Sequence, residues 1–210
     1  LTLSIRLIDT DAQISKEINK LISVELNKRI RANKGKAGRA LKSTIKGWIL
    51  GSQEVSSLLA QGVPGSLNAL FGLAPGSADS AIEAIASSVA DSTQINISGL
   101  SKNLQGEIIF NFQEESMSNL LSLPQGHQIT NNATDLHWLD WLLTQGDATI
   151  VKGFSYEPSN DGRSGGGTMK IGGLFRVPPE HAGVIGNNFI TRVFSGKEKQ
   201  ISNILNQLLV

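Results

Sequence analysis

The side chains best equipped for chemistry in this chain are few and far apart. His127, His137 and His181 are the only histidines, and none stands at metal-ligand spacing from another. His137 lies between Asp135 and Asp140, the one place where a carboxylate could orient an imidazole. On a short helix such a pair is ordinarily a structural hydrogen bond. No serine sits in a Gly-x-Ser-x-Gly turn, so a hydrolase elbow has no support. Arg163-Ser-Gly-Gly-Gly-Thr-Met-Lys is glycine-rich enough to suggest a phosphate cradle. It lacks the Gly-x-x-x-x-Gly-Lys-Ser/Thr spacing, and Met169-Lys-Ile-Gly-Gly does not read as the start of a helix. The stretch is a shaped or mobile loop instead. The expectation is a protein without catalytic residues, cofactor or metal.

Charge is more informative. Lys28, Arg29, Arg31, Lys34, Lys36, Arg39, Lys42 and Lys46 follow one another with no carboxylate between them. Lys28, Arg31, Lys34, Lys36, Arg39, Lys42 and Lys46 are the candidates for a surface facing DNA or a partner. Phosphate neutralisation by such a cluster dominates nucleic-acid affinity. The same pattern also describes the solvated face of an amphipathic helix. Trp48 is the only aromatic residue nearby that could stack on a base. Readout of base edges needs side chains held in a defined register, which flexible lysines around Gly35 and Gly38 do not provide.

These residues need elements to hold them. Leu1, Leu3, Ile5 and Leu7 alternate as in a half-buried strand. After the capping side chains of Asp9-Thr-Asp, Ile14, Ile18, Leu21, Ile22, Leu26 and Ile30 recur at steps of three and four, which predicts an amphipathic helix ending near residues 33–38. A second helix follows through Leu41, Ile45 and Ile49, a short one over 66–73, and an Ala/Ile-rich one over 78–90. Strands are predicted at Ile95–Ser98 and Gly106–Phe112 around a polar turn. Short helices are predicted over 116–123 and 136–143, and a strand over Thr149–Tyr156. A final amphipathic helix holds Ile201, Ile204, Leu205 and Leu208. The fold class is α+β: N-terminal amphipathic helices on a small, mainly antiparallel sheet, with an extended Gly/Pro-rich arm and a C-terminal helix. It forms a single domain over 1–210, mainly helical over 1–92, sheet and arm over 93–194, and helix over 195–210.

Two apolar groups could serve a partner or the core. Trp138 and Trp141 share one helix face, where core packing is the ordinary reading and an intersubunit anchor the other. In Phe175-Arg-Val-Pro-Pro-Glu-His-Ala-Gly and Asn187-Asn-Phe-Ile-Thr-Arg192, the double proline fixes φ and holds the chain extended. Phe175, Arg176, Val177, Pro178, Pro179, Val184, Ile185, Phe189 and Arg192 are the candidate subunit interface, since apolar residues on an extended arm imply a neighbour.

Composition sets the outer bounds. The 210 residues can bury a real core, and 19 Lys+Arg against 18 Asp+Glu make no general demand for a polyanion. The absence of cysteine excludes disulfides and thiolate metal sites. No apolar run approaches membrane-spanning length, and residues 1–8 lack the layout of a secretory signal. If Leu1 follows a removed initiator Met, the chain is a cytoplasmic product.

Taken together, His137-Trp-Leu-Asp-Trp-Leu-Leu-Thr-Gln-Gly-Asp, the Arg163-Ser-Gly-Gly loop with Met169, and the 175–192 segment resemble neck or tail-completion (head–tail joining) proteins of contractile-tailed bacteriophages. The likeness is concentrated in Leu136–Phe194, and residues 197–210 add a helix outside that pattern. The resemblance implies a non-enzymatic structural subunit of the virion, assembled in the host bacterial cytoplasm. It implies a homo-oligomeric ring, hexameric, between a connector or adaptor and a tail-terminator protein, with non-specific DNA contact in its lumen. The alternatives are a nucleic-acid-binding module using residues 28–46 and a phage-encoded hydrolase.

Overall fold

The computed structural model describes residues 8–113, 116–129, 133–162 and 164–209. The strand expected over Leu1–Leu7 lies outside the described residues, as does Arg163.

One helix organises everything else. α1 spans Asp11–Leu50, 40 residues and about 60 Å of axis. Thr10 starts it with a capping box: its hydroxyl accepts from the Gln13 N–H, and the Gln13 side chain reaches back to the Thr10 N–H. The break expected near residues 33–38 does not occur. Gly35 and Gly38 disfavour helix, but Ile30, Ala37 and Leu41 keep the apolar period through the gap and are all buried. Tertiary packing overrides local propensity there.

Short helices cluster against the second half of α1. They are α2 (Gln53–Leu59), α3 (Leu67–Phe71) and α4 (Ser77–Ser92). Ser52 and Ser66 cap the first two, each accepting the N–H three residues on. Among the described residues, the small antiparallel sheet expected takes the form of three separate two-stranded ribbons. β1 (Gln94–Ser98) pairs with β2 (Glu107–Asn111), as the polar turn predicted. β3 (Gln128–Ile129) pairs with β4 (Asp135–Leu136), and β5 (Val151–Pro158) with β6 (Gly167–Phe175). Between the first two ribbons lie α5 (Ser118–Leu121) and a 3₁₀ turn that opens on Pro124. α6 (Trp138–Leu143), α7 (Phe189–Arg192) and α8 (Glu198–Asn206) complete the order.

The main core joins Ile45 and Ile49 of α1 to Leu58, Leu67, Ile85, Trp138, Leu142, Val177 and Phe189. It therefore draws on the helical half and on the later α+β half together. A smaller cluster joins Ile30, Ala37 and Leu41 to Ile95 of β1 and to Leu208, just past α8. Beyond that cluster, toward its N-terminus, contact with the body narrows to one face of α1, where Ser23 is still buried. Asn27 marks the boundary: its side chain donates to the Leu100 carbonyl at 2.9 Å and accepts from the Leu100 N–H at 2.8 Å. The fold is thus α+β, with a long N-terminal helix, packed short helices, small antiparallel ribbons and a C-terminal helix. Among the described residues no helix is long and apolar enough to cross a membrane.

Candidate functional site

The continuity of α1 turns a series of cations into a surface. Steps of three and four carry one row of side chains down the helix: Asp11, Ile14, Ile18, Leu21 and Glu25, then Lys28, Arg31, Gly35, Arg39, Lys42 and Lys46. Lys34 and Lys36 flank the row and are exposed. The basic part extends about 27 Å along the axis. Lys42 lies 3.0 Å from Asp91, and Lys46 bonds Glu83, both on α4. Lys46 and the Ser87 hydroxyl hold the Glu83 carboxyl below its ordinary pKa, chiefly through the Lys46 hydrogen bond. Lys28, Arg31, Lys34, Lys36 and Arg39 reach no carboxylate among the described residues. The structure therefore brings all seven predicted cations onto one helix and leaves five of them open, while two are tied to α4.

The 175–192 segment behaves differently from its reading as an arm. Phe175, Val177 and Phe189 are buried in the chain's own core, with Val177 and Phe189 at 0% exposure. Arg192 donates to the Glu54 carboxylate at 2.7 Å, an ion pair that holds the segment against α2. Asn188 is fully buried; it caps α7 and donates to the Leu143 carbonyl at 3.2 Å. Gly183 permits this approach, because a Cβ there would stand 1.8 Å from the Leu142 carbonyl oxygen. Pro178 is half-buried, while Arg176, Pro179, Val184 and Ile185 are exposed. Of the nine residues read as an interface, those last four are the ones left on the surface. Residues in Gly/Pro-rich sequence can line a core as readily as an interface, and composition alone does not separate the two.

The glycine loop is docked where a mobile one was expected. Tyr156 donates its hydroxyl to the Gly166 carbonyl at 2.6 Å and accepts from the Gly65 N–H at 3.0 Å. A Cβ on Gly166 would lie 2.4 Å from Ala69, and one on Gly167 would strike the Tyr156 ring. These glycines serve close approach between backbone segments.

Between this loop, α6 and the β5–β6 ribbon lies a cleft of about 920 Å³ lined by Phe71, Trp141, Phe154 and Tyr156. Trp141 is half-buried at its wall, whereas Trp138 is sealed in the core. Asp135, His137 and Asp140 also line the cleft. The expected His137–carboxylate pair is replaced by another. Asp135 meets His127 Nδ1 at 2.8 Å, and the His127 and His137 rings stack with centroids 4.0 Å apart. Asp140 accepts from the Thr144 hydroxyl and from Gln145 Nε2 instead. Burial first, and then the neighbouring His127 charge, lower the His137 pKa, against the opposing pull of Asp140 and Asp135. The β3–β4 hairpin creates this stack, and nothing in local spacing announces it. Trp138 packs against Phe71 in a tilted arrangement, with centroids 5.8 Å apart. Among the described residues, no group of three or more His, Cys, Asp or Glu could hold a metal ion.

No family model, curated protein or solved structure matches the chain. Its function must therefore be sought in the residues and their geometry.

Proposed function

We propose that this protein is a structural subunit of a bacteriophage virion, forming a ring at the neck that joins the DNA-filled head to the tail. The observation that carries this reading is the form of α1. The N-terminal part of this 40-residue helix leaves apolar side chains uncovered, with Ile18 at 50% and Leu21 at 68% exposure. A helix that keeps apolar residues in water after the chain has folded is built for contact with another molecule. Two of the segments that carry the resemblance to neck proteins, 137–147 and 175–192, are also neighbours in space. Asn188 reaches Leu143, and the Gly146 N–H donates to the Gly183 carbonyl at 2.8 Å. In this role the protein acts by contact and not by catalysis. The open cations of α1 face the DNA path or an acidic neighbouring surface.

A phage carrying a nonsense mutation in this gene tests the reading. The expected products are DNA-filled heads and separate finished tails, restored to joined particles by the protein supplied in trans. Joined, infectious particles made without the protein would overturn it.

The nucleic-acid module is the second reading, favoured by the five open cations on a ridge about 17 Å long. It predicts tight, sequence-selective duplex binding at physiological salt. The neck reading predicts only weak binding that falls steeply as salt rises.

A further inference from the structure

The exposed row on α1 changes character halfway. Its first part sets Ile14, Ile18 and Leu21 among Asp11, Glu17 and Glu25, with Ile22 beside them. Lys16 and Lys20 are the only cations of this part; Lys16 lies two residues out of step with the row, and Lys20 sits at its edge, bonded to Glu17. The second part presents Lys28, Arg31, Arg39, Lys42 and Lys46 and no carboxylate. Among the described residues, Glu17 and Glu25 have only intrahelical partners, Lys20 at 3.0 Å and Arg29 at 3.1 Å. Such exposed pairs contribute little and are readily exchanged. In the middle of the basic part sits Gly35, exposed, where an added Cβ would meet nothing closer than Arg39 Nη1 at 3.6 Å. A glycine inside a helix is unfavourable, and packing within the chain does not require this one.

We propose that α1 binds α1 of a second copy, the acidic and apolar first half of one lying on the basic second half of the other. The occupant is specified by the chain itself. The two halves are opposite in charge, similar in length and borne on the same side of one helix. Ile14, Ile18 and Leu21 gain cover from the alkyl stems of Arg39 and Lys42, and the bare backbone at Gly35 lets the helices approach. The carboxylates of Glu17 and Glu25 meet the guanidinium groups of Arg31 and Arg39. A head-to-tail repetition of this pairing closes a ring, while a reversed pair closes a dimer, and both join the same two surfaces. The pairing rests on the reading of the protein as an assembly subunit and says which surface that subunit uses.

The test is a charge exchange in the full chain, read by analytical ultracentrifugation over a range of concentration and salt. One variant carries Glu17→Lys and Glu25→Lys, and the other carries Arg31→Glu and Arg39→Glu. The parent self-associates, and salt weakens it. Each variant alone associates at least tenfold more weakly, with its circular dichroism and unfolding midpoint unchanged. Mixed in equal amounts, the two variants assemble again, because every half then meets its opposite. A parent that stays monomeric at all concentrations, variants that associate as the parent does, or a mixture that stays apart would each overturn the α1–α1 pairing. Any of those results leaves the neck reading standing if the phage still needs the protein to join head to tail. Helix pairing that passes the test in a protein dispensable for joining removes the neck reading alone.

Discussion

The two halves of α1 share one period and meet opposite fates. In the second half Leu41, Ile45 and Ile49 are all at 0% exposure. In the first, the same steps of three and four leave Ile18, Leu21 and Ile22 at 50%, 68% and 40%. The residue types do not explain this difference, because both halves repeat Ile and Leu. What differs is the rest of the chain. α4 and the main core cover the second half, and β1 and the α8 region cover Ile30 and Ala37; in the first half Ser23 is buried and Asn27 is bonded to Leu100, while Ile18, Leu21 and Ile22 belong to neither core cluster. Periodicity therefore specifies that a helix has an apolar face, but the molecule that covers it is a separate matter.

The strongest way to break that comparison is to truncate one residue in each half. Ile45→Ala removes a fully buried side chain and should destabilise the dilute monomer by about 2–5 kcal/mol. Leu21→Ala, in the same helix, should stay within about 0.5 kcal/mol while weakening self-association. Urea denaturation at low concentration measures both. Equal losses would mean that the first half is packed as tightly as the second.

How much of this is legible in the sequence depends on the range of the interaction involved. The elements are legible where the signal is local. Thr10, among the capping side chains of Asp9-Thr-Asp, caps α1, the alternation around Ser101–Gln105 is a hairpin, and Ile201 to Leu208 form an amphipathic end. The continuity of α1 is not, because Gly35 and Gly38 carry a local stop signal that burial of Ala37 and Leu41 overrides. With the helix divided, Leu21 and Arg39 cannot be counted on one row. Interactions between distant segments are hidden for the same reason. Glu54 and Arg192 are 138 residues apart, and the His127–His137 stack needs the β3–β4 hairpin to close first. Phe175, Val177 and Phe189 are plainly apolar residues that must be covered, but no local pattern tells whether the chain itself or a neighbour does the covering.

A smaller effect sharpens the position of the boundary. Asn27 makes both hydrogen bonds that hold α1 to Leu100, and Gly99 leaves room for its side chain, since a Cβ there would stand 3.2 Å from Asn27 Oδ1. Asn27→Ala leaves the part-buried Leu100 N–H and carbonyl without this partner. The expected cost is about 1–3 kcal/mol. Hydrogen exchange should then show faster opening at Leu100 and along the α1 turn around residue 27, with the Leu41–Ile49 amides still protected until global unfolding. Unchanged exchange at Leu100 would place the boundary further toward the N-terminus.

The smallest effect has the opposite sign. Gly35 lies inside α1 on the exposed row, where its added methyl would meet only the far end of the Arg39 side chain at an ordinary van der Waals distance. Alanine loses less backbone freedom on folding than glycine and is the better helix former. Gly35→Ala should therefore raise the stability of the monomer by about 0.5–1 kcal/mol. The same methyl stands where a second helix would come closest, so association should weaken even as the fold strengthens. That divergence separates a glycine kept for approach from one tolerated by chance. A variant that is more stable and associates as well as the parent would assign Gly35 no part in helix pairing. A variant that is less stable would show that the position is already crowded within the chain, contrary to the space seen around it.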